Sequence, residues 1–260
     1  MIMPLSTEKD RARCLPENAL VEVRNVSMHF RMPTQRIDNV KEFFIKLIKR
    51  QLKYEDLHVL KNISFRVNRG ESVGILGRNG AGKSTLLKLI SGILEPTSGS
   101  ITVRGSVVPL LKLGAGFDPD ATGRENVFLN GAMLGFGKKE MQERYDRIVA
   151  FAELEKFMNM PLKNYSSGMI ARLGFSVAVD VDPDLLIVDE VLAVGDASFQ
   201  RKCADKIAAL QENGTTLLLV SHSPAMVKKL CKRALWIKDG EIVMYDDADK
   251  VSDAYAADCK

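Results

Sequence analysis

Nine consecutive residues, Gly77-Arg78-Asn79-Gly80-Ala81-Gly82-Lys83-Ser84-Thr85, constrain the chain more than any other stretch. They follow Glu71-Ser72-Val73-Gly74-Ile75-Leu76, whose apolar content reads as a short buried strand. They precede Leu86-Leu87-Lys88-Leu89-Ile90, the opening turns of a helix. A strand, a glycine-rich turn and a Gly-Lys-Ser that opens a helix form a phosphate-binding loop. Glycines let successive backbone N–H groups converge on a phosphate with no Cβ in the way. The helix start adds orphan N–H groups and the positive end of its dipole. In this pattern Lys83 reaches the β- and γ-phosphates and the Ser84 hydroxyl ligates Mg²⁺, while Gly77, Asn79, Gly80, Ala81, Gly82 and Thr85 complete the cradle. A glycine turn that caps a helix and binds nothing is the bland alternative; the agreement of spacing, strand and helix weighs against it.

The 260 residues carry a formal net charge of +4, too mild to argue for nucleic acid as a partner. Cys14, Cys203, Cys231 and Cys259 are far apart with no paired spacing, so they read as free thiols in a reducing compartment. No apolar run approaches the length of a membrane span. Met1 to Pro16 is charged and lacks a signal-peptide core, and a cytosolic protein is expected.

In chain order, residues 1–18 read as a tail and 19–260 as one domain. Ala19 to Val26 alternates as a first strand, and Phe30 closes that segment. An insertion follows at 31–57. Within it Ile37, Val40, Phe44, Leu47 and Ile48 recur at helical spacing, with Asn39 and Glu42 as N-cap and box partner. The opposite face carries Lys41, Lys46, Lys49, Arg50 and Lys53. A basic amphipathic helix fits an anionic membrane surface or a partner protein, and equally a helix packed on its own domain. Val59 to Val67 is a second strand. Short strands are expected between Ser100 and Leu113, and helices at Arg124 to Leu134, Lys138 to Phe151 and from Ser167. Strands return at Leu185 to Val188 and Thr216 to Val220. Lys238-Asp239-Gly240 is a hairpin turn, and Ala248 to Ala257 a closing helix.

Leu185-Leu186-Ile187-Val188 ends in Asp189-Glu190, so two carboxylates emerge at the carboxyl end of a buried strand, where ligands bind in open α/β sheets. Asp189 is placed to hold Mg²⁺ and Glu190 to polarise an attacking water. Alone, Asp-Glu after a strand is usually an ordinary loop; a phosphate loop upstream reverses that weighting. Tyr165-Ser166-Ser167-Gly168-Met169 opens another helix, a weak anion signal by itself. His222 follows the strand Thr216 to Val220; a lone histidine there is more often structural than catalytic.

Gly77 to Thr85, Tyr165 to Met169, Asp189-Glu190, Asp196 and His222 together resemble the nucleotide-binding domains of ABC transporters, over about Val21 to Tyr245. The resemblance implies an α/β fold: a P-loop NTPase, RecA-like core with an antiparallel β portion and an inserted helical subdomain at 118–182. It implies ATP and Mg²⁺, with Ser84 and Asp189 on the metal and Glu190 and His222 catalytic. It implies that Ser166, Ser167 and Gly168 meet the γ-phosphate of ATP bound to a second, head-to-tail copy, and that Asp196 lies in the loop communicating across that dimer. Phe30 is the candidate to stack on adenine, with Tyr54 and His58 as alternatives. The chain departs from the family at Ser167 and Met169, where glycine and glutamine are usual, and no glutamine lies between Ser100 and Met141 to take the place beside Mg²⁺.

Leu113-Gly114-Ala115-Gly116-Phe117, Thr122-Gly123-Arg124-Glu125-Asn126, Tyr165-Ser166-Ser167-Gly168-Met169 and Val188 to Asp196 together further resemble the ATPase subunits that export lipid-linked polysaccharides such as O-antigens, capsules, galactans and teichoic acids. That implies a transmembrane permease partner, a peripheral place on the cytoplasmic face of the bacterial inner membrane, and a gate-helix role for the insertion. The carbohydrate-binding domain that follows in some members is not expected here. The competing readings are another exporter class, a soluble ABC ATPase outside transport, and a regulatory ATP-binding module; retention of Glu190 and His222 weighs against the last.

Overall fold

The antiparallel ladder near the start of the chain is longer than its alternation predicts. The computed structural model describes residues 18–33, 54–110, 113–114, 116–189 and 195–259. β1 (Ala19–Pro33) pairs with β2 (Tyr54–Asn68) from Ala19 opposite Asn68 to Pro33 opposite Tyr54. The strands therefore run on into both ends of the segment assigned to the insertion, past Phe30 on one side and before Val59 on the other. Cross-strand backbone bonds extend a strand wherever a partner is in register, whatever the local propensity. The helix expected between Val40 and Leu52 lies outside the described residues. β4 (Ser98–Val103) joins the other edge of β1, giving the order β2-β1-β4.

The second sheet has the order β5-β6-β7-β3-β8-β9 among the described residues. Its strands are β3 (Ser72–Leu76), β5 (Val107–Leu110), β6 (Leu185–Asp189), β7 (Thr216–Val220), β8 (Arg233–Lys238) and β9 (Glu241–Asp247). All neighbours pair in parallel except β8 and β9. The β8–β9 turn is the hairpin expected from sequence: Asp239 and Gly240 both have positive φ, 51° and 80°, as a two-residue primed turn requires.

Continuous apolar runs make β6 and β7 buried on both faces. Side-chain alternation sends Leu185, Ile187, Leu218 and Val220 into a core shared with the antiparallel sheet and α1 (Lys83–Ile90). Leu186, Val188, Leu217 and Leu219 enter the opposite core, with Phe175, Phe199 and Trp236. That second core is covered by α5 (Ala197–Glu212), α6 (Pro224–Leu230) and α7 (Ala248–Asp258).

α2 (Gly123–Met133), α3 (Lys138–Ala152) and α4 (Ser167–Val179) build a third cluster around Val127, Met141, Tyr145, Ile148, Leu173 and Val177. The first of these helices begins with a full capping box between Thr122 and Glu125. α4 belongs to two cores, since Leu173 and Val177 face the helices while Phe175 and Val179 face the sheet. The carboxylate of Asp180 takes both Arg147 (2.6 and 2.9 Å) and Arg144 (3.4 Å), locking the end of α4 to α3.

At the amino edge of the sheet Asp184 accepts from the Ser106 N–H (2.8 Å) and hydroxyl (3.0 Å) and from Arg69 (2.8 Å). The Ser106 N–H first, then Arg69, holds its carboxyl below the ordinary range. The stabilisation is therefore complete above the unfolded carboxylate value of about 3.9 and disappears as pH falls through the lower folded value. The side chain is 38% exposed, so water screens the ion pair and the backbone bond dominates. Asp184→Asn should lose about 1 kcal/mol at neutral pH, a difference from wild type that closes below about pH 4; denaturant unfolding at several pH values reads it.

Candidate functional site

Parallel pairing places the carboxyl ends of β3, β7 and β6 on one edge. Ile75 lies opposite Val220, and Val220 opposite Asp189. The glycine-rich loop, Ser221-His222 and Asp189 therefore leave the sheet side by side, although some 105 residues separate the first from the last. Sequence alone had only their order; the ladder supplies their adjacency.

The loop is clamped from two directions. A Cβ on Gly77 would sit 2.5 Å from the Ile237 carbonyl oxygen of β8. A Cβ on Gly82 would sit 2.6 Å from a Leu60 methyl and 2.8 Å from the Val59 carbonyl oxygen of β2, and its φ of 100° is itself a glycine conformation. Gly82 is the N-cap of α1 and brings no side chain to its first turn. The helix thus opens with its N-terminal N–H groups and dipole towards the loop, an arrangement suited to an anion. The Lys83 side chain is buried, and its ammonium donates to the carbonyls of Gly77 (2.6 Å) and Arg78 (3.0 Å). A buried cation needs such partners, and they hold it at the floor of the cradle.

A cleft of about 500 Å³ opens here, lined by Leu57, Val59, Asn79, Gly80, Gly82, Lys83, Ser84, Thr85 and Asp189. Hydroxyl and carboxylate oxygens from Ser84 and Asp189 in one cleft make a donor set that suits a hard divalent cation. Ala81 lies in the core beneath the loop. The apolar wall was missed from sequence. Leu57 and Val59 alternate on one face of β2, and Phe30, directly opposite Leu57 on β1, shares that face. His58 points to the other face, where its ring stands 5.4 Å from that of His29. Tyr54 pairs with Pro33 further along the ribbon. Strand alternation through residues 57–59 was the available signal, obscured because Leu57 had been grouped with the insertion.

Ser166 and Ser167 are exposed at the start of α4 and do not line this cleft. The Ser166 hydroxyl caps the helix by accepting from the Met169 N–H (3.2 Å), and a Cβ on Gly168 would make only an ordinary contact, 3.8 Å from that hydroxyl. Tyr165 anchors the turn: it is buried, its hydroxyl donates to the Phe157 carbonyl (2.8 Å), and burial raises its pKa. His222 is exposed at the end of β7, just before the Ser223 cap of α6. Asp196 caps α5 through the Phe199 N–H (2.9 Å) and pairs with Arg172 (2.6 Å), contacts that hold its carboxyl below the ordinary range, the N–H foremost. Glu190 lies outside the described residues. The loop after β5, where no glutamine occurs, presses on α4: a Cβ on Gly174 would sit 2.6 Å from the Gly114 nitrogen. Buried Asn126 shapes the continuation, accepting from the Asp118 N–H and donating to the carbonyls of Asp118, Ala121 and Thr122.

A family model described as ABC transporter matches residues 60–193. The chain is 52% identical over 196 residues to the ABC transporter protein AbcA of Aeromonas salmonicida, covering 75% of this chain and 64% of that one. It is 48% identical over 204 residues to the O-antigen export system ATP-binding protein RfbB of Klebsiella pneumoniae, covering 78% and 83%. Against the teichoic acids export ATP-binding protein TagH of Bacillus anthracis it is 40% identical over 238 residues, covering 92% of this chain but 42% of the relative. Among solved structures, an ATP-binding cassette dimer in a post-hydrolysis state with ADP and Pi superimposes with a TM-score of 0.69 at 22% identity, covering 88% of this chain and 99% of that one.

The clamp on Gly82 is directly testable. Gly82→Ala forces a methyl group towards Leu60 and the Val59 carbonyl at a strained φ, so the cradle must open. Nucleotide affinity should fall by about tenfold or more, about 1.4 kcal/mol or above, in a titration with ATP, while far-UV circular dichroism stays unchanged. Unaltered affinity would remove this contact from the site.

Proposed function

The chain belongs to the ATP-binding subunits of ABC transporters, and from that premise we propose that it is the ATP-hydrolysing motor of a bacterial exporter of a lipid-linked polysaccharide. The relatives named for O-antigen and teichoic acid export support the substrate class. That the polymer is carried on a lipid follows the motif resemblance at Leu113 to Phe117, Thr122 to Asn126, Tyr165 to Met169 and Val188 to Asp196.

The observation that carries the mechanism is the separation of two half-sites. Lys83, Ser84 and Asp189 share a cleft, whereas Ser166 and Ser167 stand exposed, with half-buried Gly168 beside them, outside that cleft on the same chain. We propose that two copies pair head to tail, so that each cleft is closed by the partner's copy of this serine-capped helix. The loop N–H groups and Lys83 bind the phosphates, and the face formed by Phe30, Leu57 and Val59 receives the adenine. Ser84 and Asp189 would hold Mg²⁺, which supplies charge neutralisation on the phosphates. Glu190 orients water and takes its proton as the water oxygen bonds to the γ-phosphorus and the bond to ADP breaks. His222, leaving the neighbouring strand, contacts the γ-phosphate, and Asp196 belongs to the loop that faces the partner copy.

No described helix is long and apolar enough to cross a membrane. We propose that a separate permease provides the path and that this subunit sits at its cytoplasmic side. In sequence the basic insertion lies between Pro33 and Tyr54, the last described pair of the β1–β2 ladder, and we assign that insertion to the membrane interface beside the permease. Basic residues near an anionic leaflet contribute about 1 kcal/mol each. Replacing Lys46, Lys49 and Arg50 by Glu should reduce surface glycan in cells while the purified complex keeps its ATPase; normal export would remove the insertion from this role.

Glu190→Gln tests the chemistry. In the assembled transporter it should bind ATP as wild type does and lose about 10²–10⁴-fold in turnover, the usual worth of a general base. Steady-state phosphate release beside an ATP-binding assay reads both quantities, and near-wild-type turnover would dismiss Glu190 as the base.

A further inference from the structure

Arg172 sits in the middle of α4, six residues after the Ser166 cap, about 9 Å along the helix axis. Its side chain is only 18% exposed, and a guanidinium so far from water requires partners. It has three. One nitrogen lies 2.6 Å from the Asp196 carboxylate, another 3.1 Å from that of Glu153, and the guanidinium carbon stands 4.7 Å from the centre of the Phe199 ring. The backbone at Gly195 is moulded to the same group: with φ at 69°, an added Cβ would meet the Arg172 Nε at 3.1 Å.

Each partner belongs to a different element. Glu153 ends α3 in a left-handed conformation, φ 60°, which a side chain rarely adopts. Its second oxygen takes Lys202 of α5 at 2.9 Å, and Lys202 also donates to the Phe151 carbonyl. Asp196 begins α5, and both its oxygens are committed, one to the Phe199 N–H and one to Arg172. Within one protomer that carboxylate is engaged as a strut of the scaffold.

We infer that Arg172 is a positioning residue for ATP hydrolysis, which binds the serine-capped helix α4 and the Gly195-Asp196 turn into one rigid unit. The inference rests on the ATPase reading above and adds a residue to it. The two parts joined are those that reading assigns to the partner copy: Ser166 to Gly168, and the Asp196 loop. The phosphate cradle stands on β3 and α1, neither of which touches Arg172 through the contacts described. Loss of the arginine should therefore leave nucleotide binding to the cradle intact and misplace the half-site presented to the partner.

The experiment compares Arg172→Met, Arg172→Lys and Asp196→Asn in the assembled permease complex, with MgATP as substrate and a fluorescent ATP analogue for binding. Methionine keeps an apolar stem against Phe199 and removes both ion pairs. Lysine keeps the charge but replaces the fork with a single point. Asparagine keeps the helix cap and weakens the ion pair. Arg172→Met should lower kcat by about 10- to 100-fold with KM and analogue affinity within about twofold, the signature of an interaction that matters after binding. Arg172→Lys should fall between it and wild type, and Asp196→Asn added to Arg172→Met should cost little more, because both act on one contact. Retained kcat in Arg172→Met overturns the inference. So does a loss of kcat matched by an equal loss of affinity and of thermal stability, which marks a packing residue only, and so do losses that multiply in the double variant. A wild-type complex that binds but never hydrolyses ATP would instead sink the proposed function, and the inference with it.

Discussion

The parallel ladder through β6, β7 and β3 is the constraint on which the rest depends. It is built from short runs of Val, Ile and Leu buried on both faces, so its register is set by two cores at once. A slip of one residue would exchange every side chain between those cores. That double burial makes the carboxyl edge rigid, and the loops leaving it inherit fixed starting points. Chemistry that works by placing charges around a phosphate needs such an edge more than it needs any unusual side chain.

Around this edge the protein separates binding from completion. The cradle is steric: Gly77 and Gly82 bring backbone against β8 and β2, and Lys83 is anchored by the carbonyls beneath it. The helical portion is electrostatic at its joints. Asp180 receives two arginines at the end of α4, and Arg172 receives two carboxylates at its middle. Each of these pairs has one mostly buried member, so breaking it strands a charge away from water, and they recur at the joints between helices, where they fix the angle.

Much of the site was legible because its residues obey local rules. The glycine-rich loop is read from φ requirements and helix-start chemistry, the Asp239-Gly240 turn from positive φ, and Asp189 from its place after an apolar run. Asp196, Ser166 and Ser223 follow N-cap preferences that sequence displays directly. The wall formed by Leu57 and Val59 was not legible. Neither was Arg172, one of 37 basic residues and, unlike Lys83, not singled out by its neighbours in sequence.

By itself, then, the sequence determined most of the core strands, the helical portion, the main turns and which residue types could meet a phosphate, but not the reach of β1 and β2, because those choices rest on backbone dihedrals, capping and apolar periodicity within a few residues. Only the tertiary structure decided which of them meet. Strand order 5-6-7-3-8-9 set Asp189 and His222 beside the loop, pairing of Phe30 with Leu57 turned one face of a ribbon into the wall of a cleft, and packing of α3, α4 and α5 brought Glu153, Arg172 and Asp196 together. Those contacts join residues from 19 to more than a hundred positions apart, and no local preference encodes a distance of that kind.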